Sequence, residues 1–533
     1  MGLMFGVHGR VIAYSAIAAF GGLIFGLDAV LISGGEEQIR NEFELNEFAR
    51  GAVVSAPGLG VLPALLLTGW ICNSLGRKKT LIGVAALYVV SAVWSALAPT
   101  AFQLGAARFL GGLAFTSLSL SPMYIGEIAP AHLRGKLVAI NQINTVIGLS
   151  GAYFVNLAII YLSQAGGAGS EPLGLPPGTW RYMLGSEIPP AVLWLGLLFL
   201  IPESPRWLVS RGRNAEAELA LRKLYPGEEV ADKLAEIDHA LANEPKGLPA
   251  FPQFLRLLGP GFRLAVIVGA TIAIAQQATG INAILFYAPT VFKQLGMGEN
   301  AAFVQAAVLG VVSLVFAMLA LAVVDRVGRR PVALIGFVWI IASLAVCAYG
   351  FSRATYQLSE ERLEGLPEEL SSETLLPILG ETYTSDTDFK QAIAATLGET
   401  EGRPYETALL EQAVTLPAEL IVAGILSFMA AFQFSVGPVM WILLSEIFPT
   451  SVRGVAIPFF HFLTGATSYF VQFLFPAALA TLGAAAVFAS FTVIPLVGLV
   501  VLYLYLPETK NLSIEQIQST FQQHGLAGEG GSP

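Results

Sequence analysis

QQATGINAILFYAP, residues Gln276 to Pro289, lies inside an apolar segment from Leu264 to Val291 that holds no charged residue. At ~1.5 Å of rise per helical residue, such a segment crosses a bilayer. Gln276, Gln277 and Asn282 fall near its middle, and Gly280 interrupts the helix between them. An unpartnered buried amide costs roughly 1–3 kcal/mol. Three carboxamides at mid-membrane therefore need partners. The residues leave two sources open: neighbouring helices, or an uncharged polar ligand in a water-filled cavity, because broken helices at the midplane are common at transport sites.

The rest of the chain is of the same kind. Of 533 residues, 55% are hydrophobic and 13% charged, against about 25% charged in an average soluble domain. The mean hydropathy is +0.67. Long charge-poor runs favour helices over a β-barrel. Cys72 and Cys347 fall in predicted helices near opposite faces of the membrane, so no disulfide is expected. The apolar run from Val11 is too long for a signal-peptide core and contains Asp28; Gly6 stands where a myristoylation motif wants Ser or Thr.

Twelve spans are predicted, at 11–34, 50–72, 80–98, 101–124, 137–162, 186–201, 263–291, 301–324, 331–351, 415–442, 455–480 and 484–506. Between the sixth and seventh, AEAELALRKLY and VADKLAEIDHAL read as short amphipathic helices of a soluble linker. If the N-terminus is cytoplasmic, the inner segments hold 20 of the 29 Lys and Arg, and the short outer loops hold only Arg40, Arg50, Arg181 and Lys293. The positive-inside rule thus places both termini and the linker in the cytoplasm of a plasma (inner) membrane protein.

An internal repeat divides the spans. NSLGRKK (Asn73–Lys79) matches DRVGRRP (Asp325–Pro331), GEIAPAHLRG (Gly126–Gly135) matches SEIFPTSVRG (Ser445–Gly454), and PESPRW (Pro202–Trp207) matches PETK (Pro507–Lys510). Each motif lies six spans from its partner. The expected architecture is an all-α polytopic membrane protein with two six-helix halves: 1–201, a cytoplasmic helical linker 202–262, and 263–510, with a cytoplasmic tail 511–533. Relative to the repeat, 67 extra residues fall between spans nine and ten. This extracytoplasmic insertion, 352–414, carries 13 acids against four basic residues over 352–411. It reads as a solvated acidic cap, partly helical at EERLEGLPEEL and FKQAIAATL.

The ordered motifs LGRKK, RFLGGLAF, PMYIGEIAPAHLRGKLV, PESPRWLVSRGR, QQATGINAILFYAP, DRVGRRP, GPVMWILLSEIFP and PETK resemble the sugar porter family of the major facilitator superfamily, closest in pattern to bacterial xylose–proton symporters. The resemblance spans nearly the whole chain apart from the insertion and tail. It implies the major facilitator fold of twelve transmembrane helices.

Carboxylates and guanidinium groups at the linker end suit a cytoplasmic gate, with static anchoring of the helix ends as the alternative: Arg77, Glu127, Arg134, Glu203, Arg206, Asp325, Arg329, Arg330, Glu446 and Arg453. Asn73 stands where many family members carry Asp. Two charges lie within spans, Asp28 and Arg108, each roughly 10 Å deep at ~1.5 Å per residue. An intramembrane ionisable residue is a functional hypothesis by default, here proton coupling, with a permanent structural ion pair as the alternative. GGLIFGLD ends in Asp28, as in the proton symporters of the resembling family.

The resemblance implies a substrate site of Gln142, Gln276, Gln277, Asn282, Tyr287, Gly437 and Trp441. Carboxamides donate and accept, as sugar hydroxyls do. Phe25, Leu149, Phe286, Ser313, Thr464 and Gly465 are further pocket positions, and several depart from the nearest pattern. Gly437-Pro438 is expected to break span ten. The expected function is alternating-access transport of a neutral monosaccharide or polyol with protons as the coupling ion. A proton-independent uniporter and a non-transporting sensor are the alternatives. No enzyme chemistry, cofactor, metal or nucleic acid is expected; the partners are substrate, protons and membrane lipids, with the monomer as the working unit.

Overall fold

The computed structural model describes residues 7–165, 178–242, 250–359, 372–398 and 405–510, with residues 370, 402, 512, 516 and 517 besides. The chain opens with α1 (Val7–Glu42), α2 (Glu47–Leu75), α3 (Arg77–Leu97), α4 (Ala101–Ala114), α5 (Ser117–Ile128), α6 (Ala131–Ala165), α7 (Thr179–Gly185) and α8 (Ile188–Leu198). The linker forms α9 (Pro205–Ser210), α10 (Asn214–Leu224), α11 (Val230–Ala242) and α12 (Ala250–Leu257). Then come α13 (Arg263–Ala278), α14 (Ile281–Phe286), α15 (Ala288–Lys293), α16 (Glu299–Val327) and α17 (Arg329–Ser352). After the insertion follow α21 (Ala418–Phe434), α22 (Val436–Glu446) and α23 (Thr450–Tyr505).

Ten helices among the described residues are long and apolar enough to cross a membrane, so this is an integral membrane protein. With α7 and α8 these make twelve spans among the described residues. α23 is one helical run of 56 residues with a kink at Gly483, and holds spans eleven and twelve. Span six is divided into α7 and α8 at Ser186-Glu187, because Pro189 and Pro190 occupy the first turn of a new helix, where a missing N–H costs nothing. It starts at Thr179, earlier than expected, and Arg181 is buried with its guanidinium on the Ala98 carbonyl at 2.7 Å. Span seven breaks at Gly280 (φ 80°), where a Cβ would meet the Phe491 ring at 2.3 Å. Span ten breaks at Ser435, two residues ahead of the expected Gly437.

The helices fall into two compact units. The first holds 1–31, 56–155 and 171–249; the second holds 32–55, 156–170 and 250–533. In the first, Trp194, Tyr88 and Tyr124 anchor the core, and the Trp194 indole donates to the Ile17 carbonyl at 2.9 Å. Buried aromatic polar tips need such partners.

Both units repeat one junction at the linker end. Gly76 (φ 94°) and Gly328 (φ 112°) turn the chain into α3 and α17. The freed N–H groups of Arg77 and Lys78 donate to Glu203 at 2.8 and 3.0 Å; those of Arg329 and Arg330 donate to Glu508 at 3.0 and 3.2 Å. A carboxylate at a helix N-terminus satisfies orphan donors and the helix dipole together. Arg77 also pairs with Glu127 at 2.9 Å, and Arg329 with Glu446 at 3.2 Å. Both networks are drawn from a single half each. Arg330 reaches the Tyr503 carbonyl and Arg453 the Phe448 carbonyl. Arg134 and Arg206 are exposed, and the Asp325 side chain lies outside the described residues. Asn73 offers its backbone carbonyl to Trp207 at 2.9 Å and to Arg211.

The insertion folds more than its composition suggests. β1 (Thr355–Gln357), α18 (Ser372–Leu375), β2 (Thr382–Tyr383), α19 (Asp386–Leu397), α20 (Glu406–Ala413) and β3 (Val414–Thr415) enclose a core of their own. The antiparallel sheet has order β2-β1-β3, with Tyr356 opposite both Tyr383 and Val414. FKQAIAATL is helical as expected, within α19. EERLEGLPEEL lies outside the described residues apart from its last position. The chain is all-α apart from this insertion, where the expected solvated cap is instead a small module of helices and short strands, because Tyr356, Leu358, Leu375, Phe389, Ile393 and Leu409 converge and exclude water.

Two expectations follow. A Cβ at Gly328 would lie 2.6 Å from a Glu508 oxygen, so Gly328→Ala should cost about 1–3 kcal/mol from the backbone conformation alone. A lowered apparent Tm in detergent checks this, and Glu508→Gln, which keeps an acceptor, should lower it less. Within α20, burial pushes the Glu411 carboxyl up to about 7 from an ordinary 4.5; Lys293 of α15 opposes this, and Glu37 of α1 and Glu299 of α16 add to it. A raised carboxyl favours the folded state fully below its ordinary value and loses that contribution as pH rises through the folded one. After correction for intrinsic rates, α20 amides should exchange hydrogen more slowly at about pH 5 than at about pH 8, and Glu411→Gln should flatten the difference.

Candidate functional site

In the first unit, α1 and α4 bring together the two charges expected within the membrane. Asp28 and Arg108 are each 2% exposed. Arg108 Nη1 donates to an Asp28 carboxylate oxygen and, at 3.0 Å, to the Asp28 backbone carbonyl. Removing either partner would strand a buried charge, at a cost of about 3–5 kcal/mol. The pair is not saturated: Asp28 Oδ2 and Arg108 Nε have no hydrogen-bond partner.

A third charge belongs with them. Glu187 sits at the break between α7 and α8, is 4% exposed, and lies within electrostatic reach of both Asp28 and Arg108. Its Oε1 has no partner either. One guanidinium therefore acts electrostatically on two buried carboxyl groups. Glu187 escaped the reading of the sequence because it falls at the expected edge of span six. The available signal was an acid two residues before a Pro-Pro pair inside an otherwise apolar stretch.

The remaining first-unit candidates surround α1 and α6. Phe25, three residues before Asp28, packs edge-on against Phe115 at 4.6 Å, beside the α4–α5 break. Gln142 is exposed on α6 and Leu149 half-buried.

In the second unit the carboxamides of QQATGIN form one chain. Gln277 Nε2 donates to Gln276 Oε1 at 2.8 Å, and Asn282 Nδ2 donates to Gln277 Oε1 at 2.8 Å and to Ser468 Oγ at 2.7 Å. Gln472 Nε2 donates to the same Ser468 oxygen at 2.7 Å. Gly280 makes this possible, since its left-handed turn lets Asn282 approach Gln277 across the break. Ser468 and Gln472 were not expected; with Thr464 they form an i, i+4, i+8 polar stripe on α23, which was the legible signal. The Thr464 and Ser313 hydroxyls turn back onto their own helices, to the Phe460 and Leu309 carbonyls.

Tyr287, at the α14–α15 joint, is 1% exposed with an unpartnered hydroxyl, and the Arg50 guanidinium lies 5.5 Å from its ring centre. Phe286 is buried. On α22, Gly437 packs against Phe432, while Trp441 is 40% exposed and stands edge-on to His461 at 4.6 Å. Gly465 is half-buried on α23. The second unit thus presents amides, hydroxyls and one open aromatic face, and no guanidinium or ammonium among the carboxamides. That set matches a polyhydroxylated, uncharged molecule.

Comparison with known proteins agrees with this chemistry. Residues 14–362 and 406–521 match the family described as "Sugar (and other) transporter". The chain is 32% identical over 513 residues to the arabinose-proton symporter of Bacillus subtilis, covering 96% of this chain and 95% of that one. It is 31% identical over 545 residues to the D-xylose-proton symporter of Escherichia coli, covering 96% of each. Among solved structures, the inward-open form of the E. coli xylose transporter superposes with a TM-score of 0.70 at 27% identity, covering 96% of this chain and 99% of that one. The major facilitator fold of twelve helices is that of these relatives. The chain belongs to the sugar porter family of the major facilitator superfamily: it is a transporter and not an enzyme.

Proposed function

We propose that the protein is a secondary active carrier that moves a neutral monosaccharide or polyol together with protons by alternating access. The observation that carries the coupling is the buried Asp28–Arg108 pair with one carboxylate oxygen open and Glu187 within reach. When Arg108 holds Asp28, the carboxylate stays ionised. When the helices shift and Arg108 turns to Glu187, Asp28 takes a proton from the facing solution. Alternation between these states ties a proton to each cycle.

Gln276, Gln277 and Asn282 of the second unit bind substrate hydroxyls, and Trp441 of the same unit stacks on the C–H face of a ring. Ser468 extends this set. The relatives named for arabinose and xylose symport support the substrate class, as does a myo-inositol transporter of B. subtilis at 28% identity. By the positive-inside rule the linker and both termini are cytoplasmic and the insertion faces outward. The networks about Glu127 and Glu446 then stiffen the cytoplasmic helix ends that close in the outward-facing state.

Uptake into proteoliposomes with a panel of pentoses, hexoses and inositols, with and without a pH gradient, tests the reading. At least one neutral sugar should accumulate uphill and raise external pH as it enters. Asp28→Asn should abolish uphill accumulation while keeping sugar exchange at equal concentrations. Full pH-driven accumulation by that variant would refute the coupling role and leave a uniporter. Separately, Glu446→Gln should slow net transport more than it weakens sugar binding; equal losses in both would count against a gating role.

A further inference from the structure

The insertion touches the membrane helices in two different ways, both inside the second unit. Toward the C-terminal helices the contact is close packing. A Cβ on Gly483, at the kink of α23, would lie 2.6 Å from Asp386 Oδ1; a Cβ on Gly296, just past α15, would lie 2.8 Å from Val414 of β3. Toward the end of α1 the contact is electrostatic. Arg40 Nη2 stands 3.2 Å from Glu406 of α20 and 3.0 Å from Glu47 of α2. Lys390 of α19 faces the same Glu406 carboxylate at 3.9 Å and Asp386 at 3.3 Å.

Arg40, Glu47, Lys390 and Glu406 rim a small cavity of about 40 Å³, lined also by Arg50, Thr290, Lys293 and Ala480. Further pairs complete the rim. Arg50 grips Glu36 at 2.5 Å, Thr290 donates to Glu36, and Lys293 pairs with Glu37 at 2.7 Å and Glu299 at 3.6 Å. The insertion has its own core, so it acts on α1 as a stiff body. Residues 363–405, which include Asp386 and Lys390, lie outside the family match, and Glu406 is at its edge.

We propose that the insertion is a working part of the outer gate: bolted to the C-terminal helices through Gly483 and Gly296, it clasps the end of α1 through Glu406 on Arg40, with Lys390 positioning Glu406. This rests on the transport reading above, which places the insertion outside. The clasp must release whenever the end of α1 leaves α15 to admit substrate. Glu406 and Lys390 therefore set how often the mouth opens without touching the sugar. The Arg40–Glu406 pair suits this role, because the Glu406 side chain is 20% exposed, which leaves the pair weaker than a fully buried one and within reach of salt.

The test is the labelling rate of Ala480→Cys by a membrane-impermeant maleimide, without sugar, in the full-length protein; Cys72 and Cys347 are buried. Glu406→Gln should speed labelling about threefold or more, the range such a pair supplies, and Lys390→Gln should speed it less. The double change Arg40→Gln with Glu406→Gln should speed labelling no more than Arg40→Gln alone, which two independent structural effects would not do. In the protein carrying only the reporter cysteine, raising salt to about 0.5 M should also speed labelling, and this salt effect should shrink in Glu406→Gln. Unchanged labelling in Glu406→Gln, or a salt response equal in both proteins, overturns the proposal; the salt arm still decides if the double variant fails to fold. Labelling needs no particular substrate, so failure of the clasp leaves the uptake results standing, and failure of the sugar–proton reading leaves the labelling results standing.

Discussion

A guanidinium buried in the apolar interior of a membrane protein is the constraint around which the first unit is arranged. Arg108 cannot lose its charge, and an uncompensated charge at that depth is among the most expensive groups a protein can hold. Asp28 compensates it, Glu187 stands second in line, and the breaks that divide span four and span six lie close to this group in sequence. The apolar helices around it supply the low dielectric that makes the pairing strong and any exchange of partners consequential. The second unit solves the opposite problem. In its carboxamide cluster the buried groups are neutral, so hydrogen bonds among Gln276, Gln277, Asn282, Ser468 and Gln472 suffice.

Much of this was legible in the sequence, and the reasons are specific. Runs without charge announce helices in lipid, so the spans were placed to within a few residues wherever a polar turn separates them. Spans eleven and twelve lack such a turn, and only Gly483 marks a boundary inside continuous helix. The start of span six was misplaced because Arg181 looks like a loop residue, yet it is buried capping the end carbonyls of α3. In the insertion, acidic composition masked a sparse apolar pattern whose members meet only once the strands pair. The candidate site was legible where the resemblance named a motif position. It was not where chemistry arises from a fold-level meeting, as with Glu187 at a helix break or Ser468 one turn beyond Thr464.

The two halves share more than motif spelling. Their junctions use one atomic plan: a positive-φ glycine, two exposed N–H groups, and a glutamate returning from the end of the sixth or twelfth span. A repeat at this level is hard to keep unless each of its parts is needed. The glycine gives the turn, the turn exposes the N–H groups, and the carboxylate satisfies them. Above this shared plan the halves diverge, one holding charge in its interior and the other holding amides. On the proposed function, coupling and recognition would be divided between the halves over a common frame.

The junction around Gly76 has a consequence for how the protein is made. Its partners, Arg77, Glu127 and Glu203, all precede the seventh span in the chain. The first six spans can therefore complete their own buttress as soon as Glu203 has left the ribosome, before the seventh span enters the membrane. Domains emerging from the ribosome in order generally fold as units, and here the first half needs no residue of the second to finish that corner. The matching junction at Gly328 must wait for Glu508, which follows the twelfth span. The second half thus stays open at that end until its own last span has been synthesised, which leaves it the more exposed of the two to quality control.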